Sequence, residues 1–313
     1  MMTKSKAKYI CACTKQRINK GVSMNLPQLL GYYHEKLTPP FLYPHELKSW
    51  YKKCTGRELD LEHPKTFSEK IQWIKLYYKN PLMTTLSDKL LVRDWISSKI
   101  GDEYLVPLIG AWKNFDDIDF STFPDKFVLK ANHGSKMNII VNDKSLFDKN
   151  AARKSFNRWL KQDFSFFFGF QLHYSPIKPM IVAEEMIPND GNLFDYKILV
   201  FDGKARYIWI DSDRYTEHHR NIYDFDWNPA PFEIEFPKRK EELPPPVNLA
   251  KMKELAEKLS EGFPEVRVDF YEVDGKLLFG EMTFTSGSGQ EKITPYEYDK
   301  ILGDMITLPI EDH

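Results

Sequence analysis

The sequence predicts an α+β protein in which a mainly helical N-terminal part precedes mixed or antiparallel sheets. Three observations carry this expectation. Between Phe41 and about Ile100 apolar residues recur at helical spacing; beyond that, apolar runs are short and bounded by turn residues; and two such pairs of runs flank Asp202-Gly203 and Asp274-Gly275, strong hairpin signals. A chain of 313 residues, 42% of them hydrophobic, can bury a core large enough for two compact domains or one elaborated one.

The first 20 residues hold Lys4, Lys6, Lys8, Lys15, Arg17 and Lys20 and no acidic residue. They read as a solvated, poorly ordered start, with a phosphate- or membrane-seeking arm as the alternative. Leu47, Trp50 and Tyr51, then Ile71, Ile74 and Tyr78, mark helices, and Asp88 opens a further helix running to Gly101. Strand signals begin at Leu105–Pro107. They become clear at Phe127–Lys130 and Ile139–Val141, which enclose the turn-rich His133-Gly134-Ser135.

A helix follows from Asn150 to Phe164, and the aromatic cluster Phe164–Phe170 reads as core rather than as a membrane-docking patch. Met180–Met186 reads as a buried strand. Tyr196–Phe201 pairs with Ala205–Ile210, Pro244-Pro245-Pro246 is a linker, Asn248–Leu259 is an amphipathic helix, and Val266–Val273 pairs with Leu277–Met282.

Lys+Arg 44 against Asp+Glu 45 leaves a net charge of -1, so no global field argues for nucleic acid or an anionic membrane. Three cysteines, Cys11, Cys13 and Cys54, are too few for a disulfide framework and fit a reducing compartment. No apolar run approaches the roughly 20 residues of a membrane span, and the expected location is the cytoplasm.

The last hairpin carries the sharpest chemistry. Arg267 and Asp269 lie two apart on one strand, and Glu281 and Thr283 two apart on the next, so each pair shares a face. Carboxylates on adjacent strands are hard oxygen ligands that suit Mg²⁺ bridging phosphate oxygens, and Arg267 would counter charge developing on a transferred group. Register decides whether they meet. A two-residue turn at Asp274-Gly275 would set Asp269 against Gly280 and turn Glu281 away. A three-residue loop, Val273-Asp274-Gly275 with a bulge at Gly275, would put Arg267 opposite Glu281 and Asp269 diagonal to it on the same face, and the metal reading requires that bulge.

Ser286-Gly287-Ser288-Gly289 follows with a backbone suited to approaching an anion. Lys130 ends a strand just ahead of the loop His133–Asn138, whose N–H groups would face phosphates. Ile181–Pro188 is a strand edge that would offer backbone groups to an adenine, leading into Asp195-Tyr196-Lys197.

Two other enzyme classes compete. Asp211-Ser212-Asp213 after an apolar strand is a D-x-D pair of the sort a glycosyltransferase uses, and a kinase would need the same lysines, metal and Arg267. A passive binding module has little use for such a set of charges. Adjacent His218 and His219 do not share a face and are not expected to bind metal.

From Lys65-Thr66-Phe67-Ser68-Glu69-Lys70 onward, over roughly residues 41–308, the chain resembles the TupA-like (teichuronopeptide biosynthesis) branch of the ATP-grasp superfamily. The matching stretches are Ser87-Asp88-Lys89 with Val92-Arg93, Phe127–Ser135, Asp195-Tyr196-Lys197, and Phe279–Phe284. The resemblance implies an ATP-grasp fold, a small phosphate-loop lid over a larger C-terminal sheet. It divides the chain into an extension (1–40), a helical part (41–125), the lid (126–183) and the larger subdomain (184–313).

It also implies ATP and Mg²⁺ as cofactors. Lys89 and Lys130 would hold phosphates, with His133, Gly134 and Ser135 in the mobile loop. Glu184, Glu185 and Ile187 would form the adenine hinge, and Asp195 and Lys197 would face the nucleotide. Asp269 and Glu281 would hold metal, with Arg267 and Lys130 catalytic. Thr283 stands where many ATP-grasp ligases have asparagine, which puts its ligation in question. The implied activity joins a sugar carboxylate of a surface polysaccharide to an amine through an acyl phosphate. The implied partners are that acceptor and donor; the charge balance argues for no nucleic acid, and the basic start leaves peripheral membrane contact as the alternative.

Overall fold

The computed structural model describes residues 26–188, 193–212 and 218–310. The basic residues Lys4 to Lys20 and Asp213 of the D-x-D pair lie outside the described residues. The helical part comprises α1 (Leu26–Leu37), α2 (Tyr43–Thr55), α3 (Phe67–Tyr77), α4 (Pro81–Ser87) and α5 (Val92–Lys99).

Helix α3 starts where it does because Thr66 and Glu69 cap it reciprocally: the Thr66 hydroxyl accepts from the Glu69 N–H, and the Glu69 carboxylate accepts from the Thr66 N–H. The helix expected from Asp88 starts only at Val92. Asp88 is extended at ψ 116°, and its carboxylate turns back to accept from the Leu90 and Leu91 N–H groups.

The smaller sheet contains β1 (Leu108–Trp112), β2 (Phe127–Ala131), β3 (Asn138–Val141) and β4 (Ile181–Glu185), in the order β1-β4-β2-β3. Every pairing in it is antiparallel. Helix α6 (Lys149–Trp159) contributes Phe156 and Trp159 to a core with Phe120, Phe127, Leu129 and Phe164. In the aromatic cluster Phe164 belongs to this core, and Phe166 and Phe170 pack with Tyr32, Leu47 and Tyr51. The cluster is buried structure rather than a docking patch.

The larger sheet contains β5 (Asp195–Phe201), β6 (Lys204–Ser212), β7 (His219–Tyr223), β9 (Glu265–Val273) and β10 (Lys276–Thr283), in the order β10-β9-β5-β6-β7, again antiparallel throughout. Short β8 (Glu233–Ile234) pairs with β11 (Ile293–Thr294), and α8 (Glu297–Gly303) ends the chain's regular structure. Helix α7 (Leu249–Leu259) packs on β5, β6 and β9, burying Met252, Leu255 and Leu259 in one core with Val266, Val268 and Phe270. Alternation along β9 then commits Arg267 and Asp269 to the opposite face.

The turn at Asp274-Gly275 corrects the expectation. Val273 pairs with Lys276, and both Asp274 (φ 50°) and Gly275 (φ 73°) are left-handed, a two-residue turn without the expected bulge. The register shift falls instead at Gly280: Phe279 pairs with Phe270, but Glu281 pairs with Asp269 and Thr283 with Arg267. A Cβ at Gly280 would stand 3.1 Å from the Asp269 carbonyl oxygen, so glycine suits the position. The bulge brings Glu281 onto the face of Asp269, and the two carboxylates are opposed directly rather than diagonally.

Candidate active site

On that face Asp269 lies between two neighbours, opposite Glu281 on one side and Lys197 on the other. Arg267 donates from Nε and Nη2 to the two Asp269 oxygens, both at 2.7 Å, and from Nη2 to Glu281 Oε1 at 3.0 Å. Lys197 is ion-paired with Asp195 and lies 3.8 Å from Asp269 and 3.9 Å from Asp211. Asp211 in turn accepts from Arg220 Nε at 2.7 Å. Half of the D-x-D pair is thereby tied into the same charged face.

Burial pushes the Asp269 carboxyl up to about 6, although Arg267 and Lys197 oppose it. Burial also acts to raise Glu281, but Lys89 and Arg267 outweigh it and hold its carboxyl below the ordinary value. For Arg267, the carboxylates of Asp269 and Glu281 outweigh desolvation and fix the positive charge.

Facing this surface is a narrow cleft lined by Lys89, Arg93, Lys130, Tyr174, Glu184 and Glu281 among others. Lys130 points into it from β2 and is ion-paired with Glu184, whose other oxygen accepts from Arg93 at 3.3 Å. Lys89 donates to the Gly134 carbonyl at 2.7 Å, and burial lowers its pKa. Buried Asn132 fixes the base of the loop. Its amide donates to Asp88 at 2.9 Å and to the Lys178 carbonyl at 3.0 Å, and its Oδ1 accepts from the Met180 N–H at 2.7 Å.

The structure thus gathers Lys89, Lys130, Glu184 and Glu281 in one cleft, with Arg267 and Asp269 bonded to or opposite Glu281 and with Asp195 and Lys197 beside them. Thr283 Oγ1 lies 3.5 Å from Glu281. Other expected residues stand apart. His133 turns into the lid core, its Nε2 3.1 Å from the Trp159 carbonyl, and burial lowers its pKa. Gly134 meets Lys89 through its carbonyl, not through an N–H. Ser135 is exposed at the loop tip, Glu185 points outward with its N–H bonded to the Pro107 carbonyl, and Ile187 is half-buried beyond the strand.

Arg93 and Asn132 stand in the stretches that carry the resemblance, without a role implied by it, and Tyr174 lies outside those stretches. Spacing signalled Arg93, four residues after Lys89. The Gly/Ser tail is also held in an unforeseen way. Gly287, Ser288 and Gly289 are consecutively left-handed (φ 54°, 56° and 63°), and the fully buried Lys75 donates to the Ser288 carbonyl at 2.7 Å. Gln72 Nε2 donates to the carbonyls of Ser288 and Gly289, each at 2.9 Å.

His173, next to Tyr174, has both ring nitrogens buried without a hydrogen-bond partner, and burial drives its pKa from 6.5 to about 3. The folded protein therefore holds it neutral where the unfolded chain protonates it. The stability this contributes is complete above pH 6.5 and is lost, by up to about 1.4 kcal/mol per pH unit, as pH falls toward 3. Thermal unfolding between pH 7.5 and 5 should show this slope, and His173→Phe should flatten it. An identical acid slope in both proteins would exclude His173 as its source.

Two cations on one side of a cleft and a carboxylate pair on the other form a surface that can hold a polyphosphate and a hard divalent cation. Among protein families, the model described as TupA-like ATPgrasp matches residues 69–307. None of the curated proteins matches. Among solved structures, the chain is similar to D-alanine–D-alanine ligase from Bacillus anthracis complexed with ATP (16% identity, TM-score 0.42, 71% of this chain and 65% of that one). It is also similar to the D-alanine–D-alanine ligase of Helicobacter pylori (13%, 0.44, 78% and 67%) and to N5-carboxyaminoimidazole ribonucleotide synthetase of Thermus thermophilus (13%, 0.36, 64% and 45%). The chain spans slightly less than two thirds of the Bacillus anthracis ligase. Because the family match runs over well more than half of its length, the chain belongs to the TupA-like ATP-grasp family.

Proposed function

We propose that this protein is an ATP- and Mg²⁺-dependent ligase that activates a carboxylate as an acyl phosphate and joins it to an amine. The observation that carries the reading is the convergence of Lys89, Lys130 and Glu281 on one cleft, with Glu281 set against Asp269 by the Gly280 bulge.

The residues fit the implied metal by donor chemistry. Among the described residues no three His, Cys, Asp or Glu form an all-protein cage. A magnesium ion, however, commonly takes one or two carboxylates and completes its shell with phosphate oxygens and water. Asp269 and Glu281 would hold it, with Thr283 at its edge, and when bound it would neutralise phosphate charge. Lys89 and Lys130 would bind the phosphates. The adenine would lie near the end of β4 around Glu184 to Ile187, with the ribose and nucleotide toward Asp195 and Lys197.

In the first step a carboxylate oxygen of the acceptor bonds to the γ-phosphorus and ADP leaves. In the second, the amine attacks the acyl carbon, inorganic phosphate leaves with its bonding pair, and the nitrogen loses a proton. Arg267 stabilises the charge on the transferring group. The acceptor is a sugar carboxylate in a surface polysaccharide and the donor an amino acid or related amine. This substrate class rests on the family resemblance to enzymes of surface-polymer assembly, and we place the reaction in the cytoplasm.

The test is a product analysis with Mg-ATP, candidate uronic acids and an amino-acid pool. ADP, inorganic phosphate and an amide in equal amounts are expected. A phosphorylated sugar without phosphate release would make the protein a kinase, and consumption of a nucleotide sugar without ATP would make it a glycosyltransferase using Asp211 and Asp213.

A further inference from the structure

The sequence separates its charge. Residues 1–53 hold ten Lys or Arg and two acids, a net +8, in a chain whose total is -1, so the remaining 260 residues carry -9. Within that basic part, α1 presents an apolar ridge to solvent. Leu26, Leu30, Tyr33 and Leu37, spaced four, three and four residues apart, are 68%, 62%, 50% and 77% exposed, and Phe41 just beyond is 79% exposed. The opposite side of α1 is the one that folds inward. Tyr32 is buried with Leu47 and Phe170, and its hydroxyl accepts from the Asp163 N–H at 3.1 Å.

Exposed apolar side chains gathered on one helix face, with a further exposed phenylalanine just beyond, mark an interaction surface. The helical spacing of the first four matches the apolar face of a helix lying in the plane of a lipid interface, and the net charge of the first 53 residues favours an anionic one. Apolar side chains enter the acyl boundary, and Lys and Arg meet anionic headgroups. No helix among the described residues is long and apolar enough to cross a membrane, so the contact is peripheral. The charge separation selects lipid over a second copy of the chain, because two such faces would bring two basic segments together.

We propose that α1 docks the protein on an anionic membrane surface, with Leu26, Leu30, Tyr33, Leu37 and Phe41 inserted at the headgroup level. The proposal concerns a surface distinct from the cleft and does not depend on the reaction assigned there.

Sedimentation with vesicles tests it. The full chain should bind phosphatidylcholine vesicles in which roughly one lipid in three is phosphatidylglycerol, at about 0.1 M salt, and about 0.5 M salt should release it. It should bind pure phosphatidylcholine at least tenfold more weakly. The double substitution Leu30→Ser and Leu37→Ser, at exposed positions that leave the core untouched, should lower the partition coefficient at least tenfold with an unchanged melting temperature. If that variant proves unstable, Lys4→Gln with Lys6→Gln and Lys8→Gln should lower anionic binding instead. Equal binding to both vesicle types, no binding, or binding indifferent to the leucines would overturn the proposal. So would a concentration-dependent dimer that the leucine substitutions abolish, which would show that a second copy covers the ridge.

Discussion

Glu281→Gln is expected to abolish Mg²⁺-dependent ATP turnover while moving the melting temperature by no more than a few degrees. Glu281 is the carboxylate of the pair that faces the cleft, its side chain 39% exposed against 3% for Asp269. Its contact with Arg267 is a single hydrogen bond at 3.0 Å, which an amide oxygen also accepts. The isosteric change therefore leaves Arg267 bonded to Asp269 and disturbs little packing. What it removes is the negative charge that a hard cation requires, and Asp269 alone, already neutralised by Arg267 on both oxygens, cannot supply it. ADP release against Mg²⁺ concentration, with a parallel thermal melt, measures both halves. Retained turnover would remove Glu281 from the metal site.

Asp269 would behave differently. It is buried, and both of its oxygens are bonded to Arg267, so removing its charge would strand a buried guanidinium. The two carboxylates look equivalent in the sequence, two positions on paired strands. Only the structure shows that one is exposed to the cleft and the other is built into the sheet.

Residues governed by local periodicity were legible in the sequence. Alternation along Val266–Phe270 placed Arg267 and Asp269 on one face, and the short apolar runs around His133–Asn138 gave β2 and β3 with Lys130 at the end of its strand. What failed needed information from across the fold. The position of the bulge depends on how closely the β9 backbone approaches Gly280, and Asp274-Gly275 satisfies a two-residue turn without it. A histidine in a turn-rich loop reads as a ligand. His133 is instead drawn into a lid core built by Trp159 and Phe164, which lie well beyond the loop in sequence. Lys75 of α3 carries no signal in its own stretch of sequence, because the carbonyls that hold it buried belong to Ser288 and Phe168, far along the chain.

Lys130→Ala and Arg267→Lys should separate ground-state binding from the chemical step. Lys130 projects into the cleft from the lid, with a side chain 27% exposed and Glu184 as its ion-pair partner. A phosphate arriving there meets a cation already in place, so the contact is made in the ground state. Its loss should raise the dissociation constant for ATP by at least tenfold, on the scale of a charge-assisted hydrogen bond. Glu184 keeps Arg93 as a partner, which protects the fold.

Arg267 lies on the sheet face, engaged by Asp269 and Glu281; in the proposed reaction, negative charge would develop beside it only as a phosphoryl group transfers. Interactions of that kind raise kcat rather than affinity. Arg267→Lys keeps the positive charge that buried Asp269 needs but loses the paired N–H fork, and it should lower kcat by on the order of a hundredfold with ATP affinity within roughly threefold. Arg267→Met should lose turnover as well and, by leaving Asp269 buried without its partner, cost about 3 kcal/mol or more of stability. Calorimetric titration with ATP and single-turnover kinetics on the three variants provide the comparison. Normal ATP binding by Lys130→Ala together with lost binding by Arg267→Lys would reverse the two assignments.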